Sequence, residues 1–243
     1  MFCIVDVYFI NLYAQFEPHG NIIYSLFVPA LMLNNWLNTK YLDTKPLHGK
    51  FTKAKPFPYL ELREFFKPDI AVGLLAGISK EGFSKKESDL FSFMQTNDLT
   101  TSPQGLIKNF HSFLCSPGFL SFMEKIAGIP LGTHIDLHAT LYQDTDFLLC
   151  HDDRLDSRKI AFLLYLSDFE EGEGGSLNLF TDAGGMPGKV AKKIIPRFNT
   201  FAFFEVSNIS FHEVEEVIAE KQRITLGGWF HDPATLPGSK KSY

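Results

Sequence analysis

Residues 133–142 read Thr-His-Ile-Asp-Leu-His-Ala-Thr-Leu-Tyr, and this stretch decides the fold class. Ile135, Leu137, Ala139 and Leu141 alternate with His134, Asp136, His138, Thr140 and Tyr142. A period of two is the mark of a strand with one apolar face. Downstream the same character persists. Lys159–Leu166 is a short, nearly continuous apolar run, and 176–180, 200–206 and 210–217 alternate again. The segment Arg223-Ile-Thr-Leu-Gly-Gly-Trp-Phe230 closes the series. Turn glycines at 172, 174, 175, 184 and 185 separate these runs, which predicts a sandwich or jelly roll.

Upstream of residue 133 the signals are helical. Pro29 opens a helix-like run to Trp36. Ser84-Lys-Lys-Glu87 has the form of a capping box and leads into the apolar positions Leu90, Phe91, Phe93 and Met94. Ser102-Pro103 and Ser116-Pro117 each read as a cap followed by proline at the first helical position. Leu106, Ile107, Phe110, Phe113 and Leu114 then recur at helical spacing. The expected architecture is α+β: a supporting helical region over 1–132, a β core over 133–232 within the same domain, and a tail at 233–243.

The chain has 243 residues, a formal charge of −5 and 45% hydrophobic residues, so it can bury a large core. Only five of its 23 basic residues are arginine: Arg63, Arg154, Arg158, Arg197 and Arg223. An acidic chain so poor in arginine has no footprint for sequence-general nucleic-acid binding. Three cysteines (Cys3, Cys115 and Cys150) without paired spacing offer neither a disulfide framework nor a CxxC zinc site. The apolar start, residues 1–10, lacks a basic region and a cleavage site and reads as a buried element, not a signal peptide. No apolar run reaches the length of a membrane span. An intracellular, reducing compartment is expected.

His151-Asp-Asp153 carries a His-x-Asp pair, which on a strand places imidazole and carboxylate on one face. His134-Ile-Asp136 competes for the same reading, so neither pair stands alone; His134, Asp136 and His138 on one strand face are equally explained as a solvated polar face. The later residues separate the two. His212 can add a second imidazole, completing a facial triad for non-haem Fe(II) with three open positions. Arg223, followed by Thr225 on the same strand face, can hold a dicarboxylate in a two-pronged ion pair with a hydroxyl beside it.

On these residues the chain resembles the Fe(II)- and 2-oxoglutarate-dependent prolyl hydroxylases, and among them the ribosomal-protein prolyl 3-hydroxylases. The likeness is carried by 146–153 (Asp-Phe-Leu-Leu-Cys-His-Asp-Asp), 158–166, 174–180, 203–207, 211–214 and Gly228-Trp-Phe-His231, with Glu87–Leu90 and Asn97–Leu99 similar to the family's helical region. The resemblance implies a double-stranded β-helix with iron bound by His151, Asp153 and His212. It also implies 2-oxoglutarate paired with Arg223 and contacted by Tyr142, Tyr165 and Thr225. Dioxygen is then the second cosubstrate, succinate and CO₂ the coproducts, and ascorbate a stimulant. The implied substrate is a proline of a small-subunit ribosomal protein, and the implied location is the cytoplasm, with the nucleus added in a eukaryote. Eukaryotic members carry a second, metal-free barrel after the catalytic one. This chain stops at Tyr243, so that barrel is expected to be absent. Two alternatives stay open: the same iron chemistry on another protein, a nucleic acid or a small molecule, and a metal-free binding module.

Overall fold

The computed structural model describes residues 33–155 and 157–234. Residues 1–10, read as a buried element, and the first half of the run from Pro29 to Trp36 lie outside the described residues; 33–36 at the end of that run are helical. Among the described residues and besides the helical 33–36, four α-helices, α1 (Thr44–Lys53), α2 (Pro68–Ile78), α3 (Gly105–Leu114) and α4 (Pro117–Ala127), accompany eleven strands. The strands are β1 (Tyr59–Arg63), β2 (Phe83–Ser88), β3 (Phe91–Thr96), β4 (His138–Tyr142), β5 (Phe147–His151) and β6 (Arg158–Tyr165). They continue as β7 (Leu177–Asp182), β8 (Pro187–Ile194), β9 (Thr200–Glu205), β10 (His212–Val214) and β11 (Arg223–His231).

All eleven form one antiparallel system in the order β1-β9-β6-β11-β4-β3-β5-β10-β7-β8, with β2 paired to β3. The order is that of a jelly roll: a larger layer running from β1 to β4 and a smaller one of β5, β10, β7 and β8. The crossovers that interleave late strands between early ones bring residues 151 and 212 side by side, since His212 is the register partner of His151.

The larger layer is covered on both faces, which accounts for the continuous apolar run at 159–166. Ile160, Phe162 and Leu164 point outward against the helices, together with Phe201, Phe203, Leu226 and Phe230. Ala161, Tyr165, Ala202 and Phe204 point inward. The helices present Leu47, Phe51, Leu74, Ile107, Phe110, Phe119 and Phe122 to the outward face. Much of the abundant phenylalanine is spent in this seam, where Phe65 stacks on Phe201 at 4.8 Å and Phe51 on Phe203 at 5.5 Å.

Ser116 caps α4 as expected: its side chain accepts the N–H of Phe119, Pro117 follows, and Gly128 at φ 77° ends the helix. Ser102-Pro103 behaves differently. α3 begins two residues later, and the Ser102 hydroxyl closes a turn by accepting the Gln104 N–H at 3.1 Å.

Residues 84–94 are not a helix. They form the β2–β3 hairpin, with Ser84 opposite Gln95 and Ser88 opposite Phe91. The Ser84 hydroxyl donates to the Gln95 carbonyl instead of capping. Leu90, Phe91, Phe93 and Met94 satisfy a helical spacing, but tertiary pairing overrides it, because β3 pairs with both β4 and β5. The region 87–99, similar to a helical segment of the family by sequence, is therefore strand and loop as far as Asp98, with a 3-10 turn only at Leu99–Thr101, and β1 to β3 place three strands inside the stretch read as helical support. Among the described residues no helix is long and apolar enough to cross a membrane.

Candidate active site

β4 shows why its polar residues alternate. Ala139 is buried toward the helices, while His138, Thr140 and Tyr142 line a pocket of about 190 Å³ inside the barrel. The polar side of the alternation is the interior of the site rather than a solvated face.

At one end of the pocket His151, Asp153 and His212 converge, each offering a ligand atom within 4.8 Å of the others. His151 Nε2 lies 3.4 Å from Asp153 Oδ1, His212 Nε2 lies 3.4 Å from Asp153 Oδ2, and the imidazole centroids are 4.2 Å apart. Each ring is oriented through its other nitrogen: His151 Nδ1 sits 2.8 Å from the Leu149 carbonyl, and His212 Nδ1 sits 2.7 Å from that of Ser210. As donors to carbonyls these nitrogens carry protons, so both Nε2 atoms face Asp153: they donate to it when the rings are protonated and offer lone pairs when a metal sits between them. That is the second-sphere arrangement of metal-binding histidines.

Asp153 reaches this position by a route that strand alternation does not describe. β5 ends at His151, and Asp153 lies beyond it with φ 60°, in the left-handed region that aspartate tolerates better than most residues. Burial pushes the Asp153 carboxyl up, but hydrogen bonds and charge from His151 and His212 outweigh it and hold the group well below the usual range. The same pairing raises His151 against the lowering effect of its burial. The Trp229 indole also donates to Asp153 Oδ2 at 2.9 Å, and the Arg158 guanidinium stacks 3.5 Å over the Trp229 ring.

Deeper in the pocket Arg223 is fully buried. Its Nε donates to the Gly175 carbonyl at 2.6 Å, and its guanidinium lies between the Tyr142 and Tyr165 rings at 5.0 and 5.2 Å. Gly175 has φ 67°, and a Cβ there would stand 3.1 Å from Arg223 Cδ, so the close approach and the backbone both require glycine. Both terminal nitrogens of Arg223, and the Tyr165 hydroxyl, are buried without a hydrogen-bond partner. Leaving a guanidinium this way is costly unless an anion receives it. Burial pushes the Tyr165 phenol up to about 12, so it stays a donor. Thr225 faces Thr140, their hydroxyl oxygens 2.5 Å apart. Tyr142 is buried and stacked on Phe93 at 5.1 Å.

The structure thus gathers His151, Asp153, His212, Arg223, Tyr142 and Thr225 into one pocket, with Tyr165 buried beside the Arg223 guanidinium. Three donors point at one spot for a metal, and two unpartnered guanidinium nitrogens await a carboxylate, which is the fit that Fe(II) and 2-oxoglutarate require. A comparison with known families supplies the corresponding class: residues 137–231 match the 2OG-Fe(II) oxygenase superfamily. They are a 2OG-Fe(II) oxygenase domain.

The oxygenase domain extends its likeness to named proteins. The chain is 37% identical over 180 residues to the Xenopus laevis prolyl 3-hydroxylase OGFOD1, covering 72% of this chain and 35% of that protein. It is 34% identical over 216 residues to the Drosophila melanogaster prolyl 3-hydroxylase sudestada1, covering 82% and 40%. The chain therefore spans well under half the length of these curated relatives. Among solved structures, a Pseudomonas putida prolyl-4-hydroxylase superposes with a TM-score of 0.62 at 18% identity, covering 76% of this chain and 98% of that one. A Trichoplax adhaerens prolyl hydroxylase superposes at 0.61 with 15% identity, covering 86% and 93%. These likenesses show the shared jelly-roll fold.

Three pocket residues escaped the sequence reading. Trp229 was visible only as part of a motif, because the distance between residues 153 and 229 hides their contact. Arg158 arrives in the pocket by its cation–π contact with that ring. His138, read as solvated, lines the pocket with its Nδ1 buried and unpartnered.

Proposed function

We propose that the chain is an Fe(II)- and 2-oxoglutarate-dependent dioxygenase that hydroxylates a prolyl residue of a small-subunit ribosomal protein. The observation that carries the cosubstrate is Arg223: fully buried, its two terminal nitrogens unpartnered, beside an unpartnered Tyr165 hydroxyl. A dicarboxylate is the ligand that answers a buried two-pronged cation.

In this reading His151, Asp153 and His212 hold the iron. Bound there, Fe(II) supplies the activation of dioxygen that couples decarboxylation of 2-oxoglutarate to hydroxylation of a C–H bond, with succinate and CO₂ as coproducts. The chain's residues do the rest. Leu149 and Ser210 carbonyls fix the two imidazoles, and the Trp229 indole fixes one carboxylate oxygen of Asp153. Arg223 receives the distal carboxylate of the cosubstrate, Tyr165 donates a second hydrogen bond to it, and Tyr142 and Thr225 wall the same end. Leu177, Val214 and Phe204 line the pocket with apolar surface and help keep water from the reacting centre.

The prolyl substrate rests on the relatives named prolyl 3-hydroxylase, and the ribosomal one on the sequence likeness across 146–231. Succinate formation from 2-oxoglutarate with Fe(II) and a candidate peptide tests the chemistry. Mass spectrometry of ribosomal proteins from cells with and without the gene tests the substrate. A candidate proline with the same mass in both removes the ribosomal assignment and leaves the oxygenase standing.

A further inference from the structure

His134 and Asp136, which compete by sequence with the 151–153 pair, are brought by the fold to a third residue, His231. Their ligand atoms lie within 4.8 Å of one another, as in the triad. His134 Nε2 is 3.3 Å from Asp136 Oδ1, and His231 Nε2 is 3.1 Å from Asp136 Oδ2. The two imidazole centroids are 4.6 Å apart with planes at 44°, against 4.2 Å and 54° in the triad. One carboxylate thus sits between two Nε2 atoms in both clusters, at nearly the same spacing.

The His134–Asp136 spacing suits a shared ion. Ligand atoms about 2.0–2.1 Å from a tetrahedral zinc lie about 3.3 Å apart, whereas a charged N–H···O⁻ contact closes to about 2.7–2.9 Å. The His231 Nε2–Asp136 Oδ2 contact at 3.1 Å is a hydrogen bond that a bound cation replaces. His134 and Asp136 are both about a quarter exposed and stand 3.3 Å apart. His231, nearly buried, is oriented through its other nitrogen, with Nδ1 2.9 Å from the Ser157 hydroxyl. The Ser157 hydroxyl orients the ring as the carbonyls do at His151 and His212, and it can either donate or accept there.

The backbone holds the cluster together independently of the side chains. The Asp136 N–H donates to the Trp229 carbonyl at 3.1 Å, and the His231 N–H donates to that of His134 at 3.4 Å. Gly228 permits this approach, since a Cβ there would stand 1.9 Å from the Asp136 carbonyl oxygen. Donors preset by backbone pairing lose little entropy on binding.

We propose that His134, Asp136 and His231 form a second metal site, distinct from the triad, that takes a zinc-class divalent cation with solvent completing its coordination. Two imidazoles and one carboxylate are a borderline donor set that favours zinc over magnesium or calcium. The cation clamps the 134–136 segment to the end of β11, two residues past Trp229. This site stands whether or not the triad turns over 2-oxoglutarate.

Zinc titration of the metal-stripped full chain, by calorimetry and elemental analysis, tests it. The expected stoichiometry is two for the wild-type chain, one for H151A/H212A, one for H134A and none for H134A/H151A/H212A. Asp136→Asn provides a second disruption and weakens the second equivalent by more than about tenfold. X-ray absorption at the zinc edge of loaded H151A/H212A is expected to show two imidazoles. A wild-type stoichiometry of one, a second equivalent that survives both H134A and D136N, or a zinc edge without imidazole overturns the site.

Discussion

The Trp229 indole N–H donates to Asp153 Oδ2 at 2.9 Å, the same oxygen that faces His212 Nε2 at 3.4 Å. A donor on that oxygen fixes the plane of the carboxylate, while the Arg158 guanidinium lies 3.7 Å from Oδ1 and the backbone of Asp153 is in an uncommon conformation. Outer partners of metal ligands typically contribute about 10–100-fold to metal affinity. Trp229→Phe keeps an aromatic ring under Arg158 and removes the donor. Anaerobic Fe(II) titration is expected to show a loss of that size, while KM for 2-oxoglutarate changes less than about threefold. Unchanged iron affinity would show that the indole only packs.

Arg223→Lys tests the fork. Lysine keeps the charge but cannot present two parallel donors, and it loses the bond from Nε to the Gly175 carbonyl. Breaking a buried charged pair costs about 2–5 kcal/mol. KM for 2-oxoglutarate is therefore expected to rise by at least about thirtyfold, read from initial rates of succinate formation, with iron binding unchanged. A KM within a factor of two would remove Arg223 as the carboxylate anchor.

Tyr165→Phe is a smaller change at the same end of the pocket. The hydroxyl is buried without a protein partner, so its removal leaves no orphan in the free protein. Only its bond to the cosubstrate is lost, about 1 kcal/mol or roughly fivefold in KM. Because the phenol is pushed up to about 12, this contribution is expected to be flat across neutral and mildly alkaline pH. A KM ratio between Tyr165→Phe and wild type that collapses near pH 9 would contradict it.

These positions also show what the sequence made legible. His151, His212 and Arg223 could be found because rare residue types recur at spacings that strands explain, and β4, β7 and β9 carry the period-two pattern that names their faces. The β2–β3 hairpin could not be read, because residues 84–94 fit a helix locally and only pairing with β4 and β5 makes them strands. β8 was silent for a different reason: it is mostly exposed, so no alternation marks it. Asp153 was identified for an incomplete reason, since a left-handed residue rather than strand geometry turns its carboxylate to the metal position. Long-range contacts such as Trp229 to Asp153 leave no local trace.

Phe201→Ala tests whether helices and barrel fold together. Phe201 is fully buried on β9, stacked on Phe65 at 4.8 Å and 5.5 Å from Phe203. Truncation of such a ring costs about 3–5 kcal/mol. Urea unfolding of the whole chain is expected to show one transition at lower denaturant with an unchanged slope. Two separated transitions would mean that the helical layer unfolds on its own.

Asp146 ties that hairpin to the barrel and gives the fold an acid limit. Its Oδ1 accepts hydrogen bonds from the Lys85 ammonium at 2.7 Å and the Ser92 hydroxyl at 2.6 Å, and its Oδ2 accepts the Gln143 N–H at 3.0 Å. Burial pushes the carboxyl up, but these bonds and the Lys85 charge outweigh it and hold the group below its ordinary 3.8. A carboxyl depressed in the folded state binds protons less readily there than in the unfolded chain. Its stabilisation is complete above the unfolded value and disappears as pH falls through the folded one. The wild-type chain is therefore expected to lose stability steeply below about pH 4. Asp146→Asn starts about 2 kcal/mol lower at pH 7 and falls with a shallower slope, so the two curves converge in acid. Thermal melts across the acid range measure both, and parallel curves would show that Asp146 titrates alike in the folded and unfolded chains.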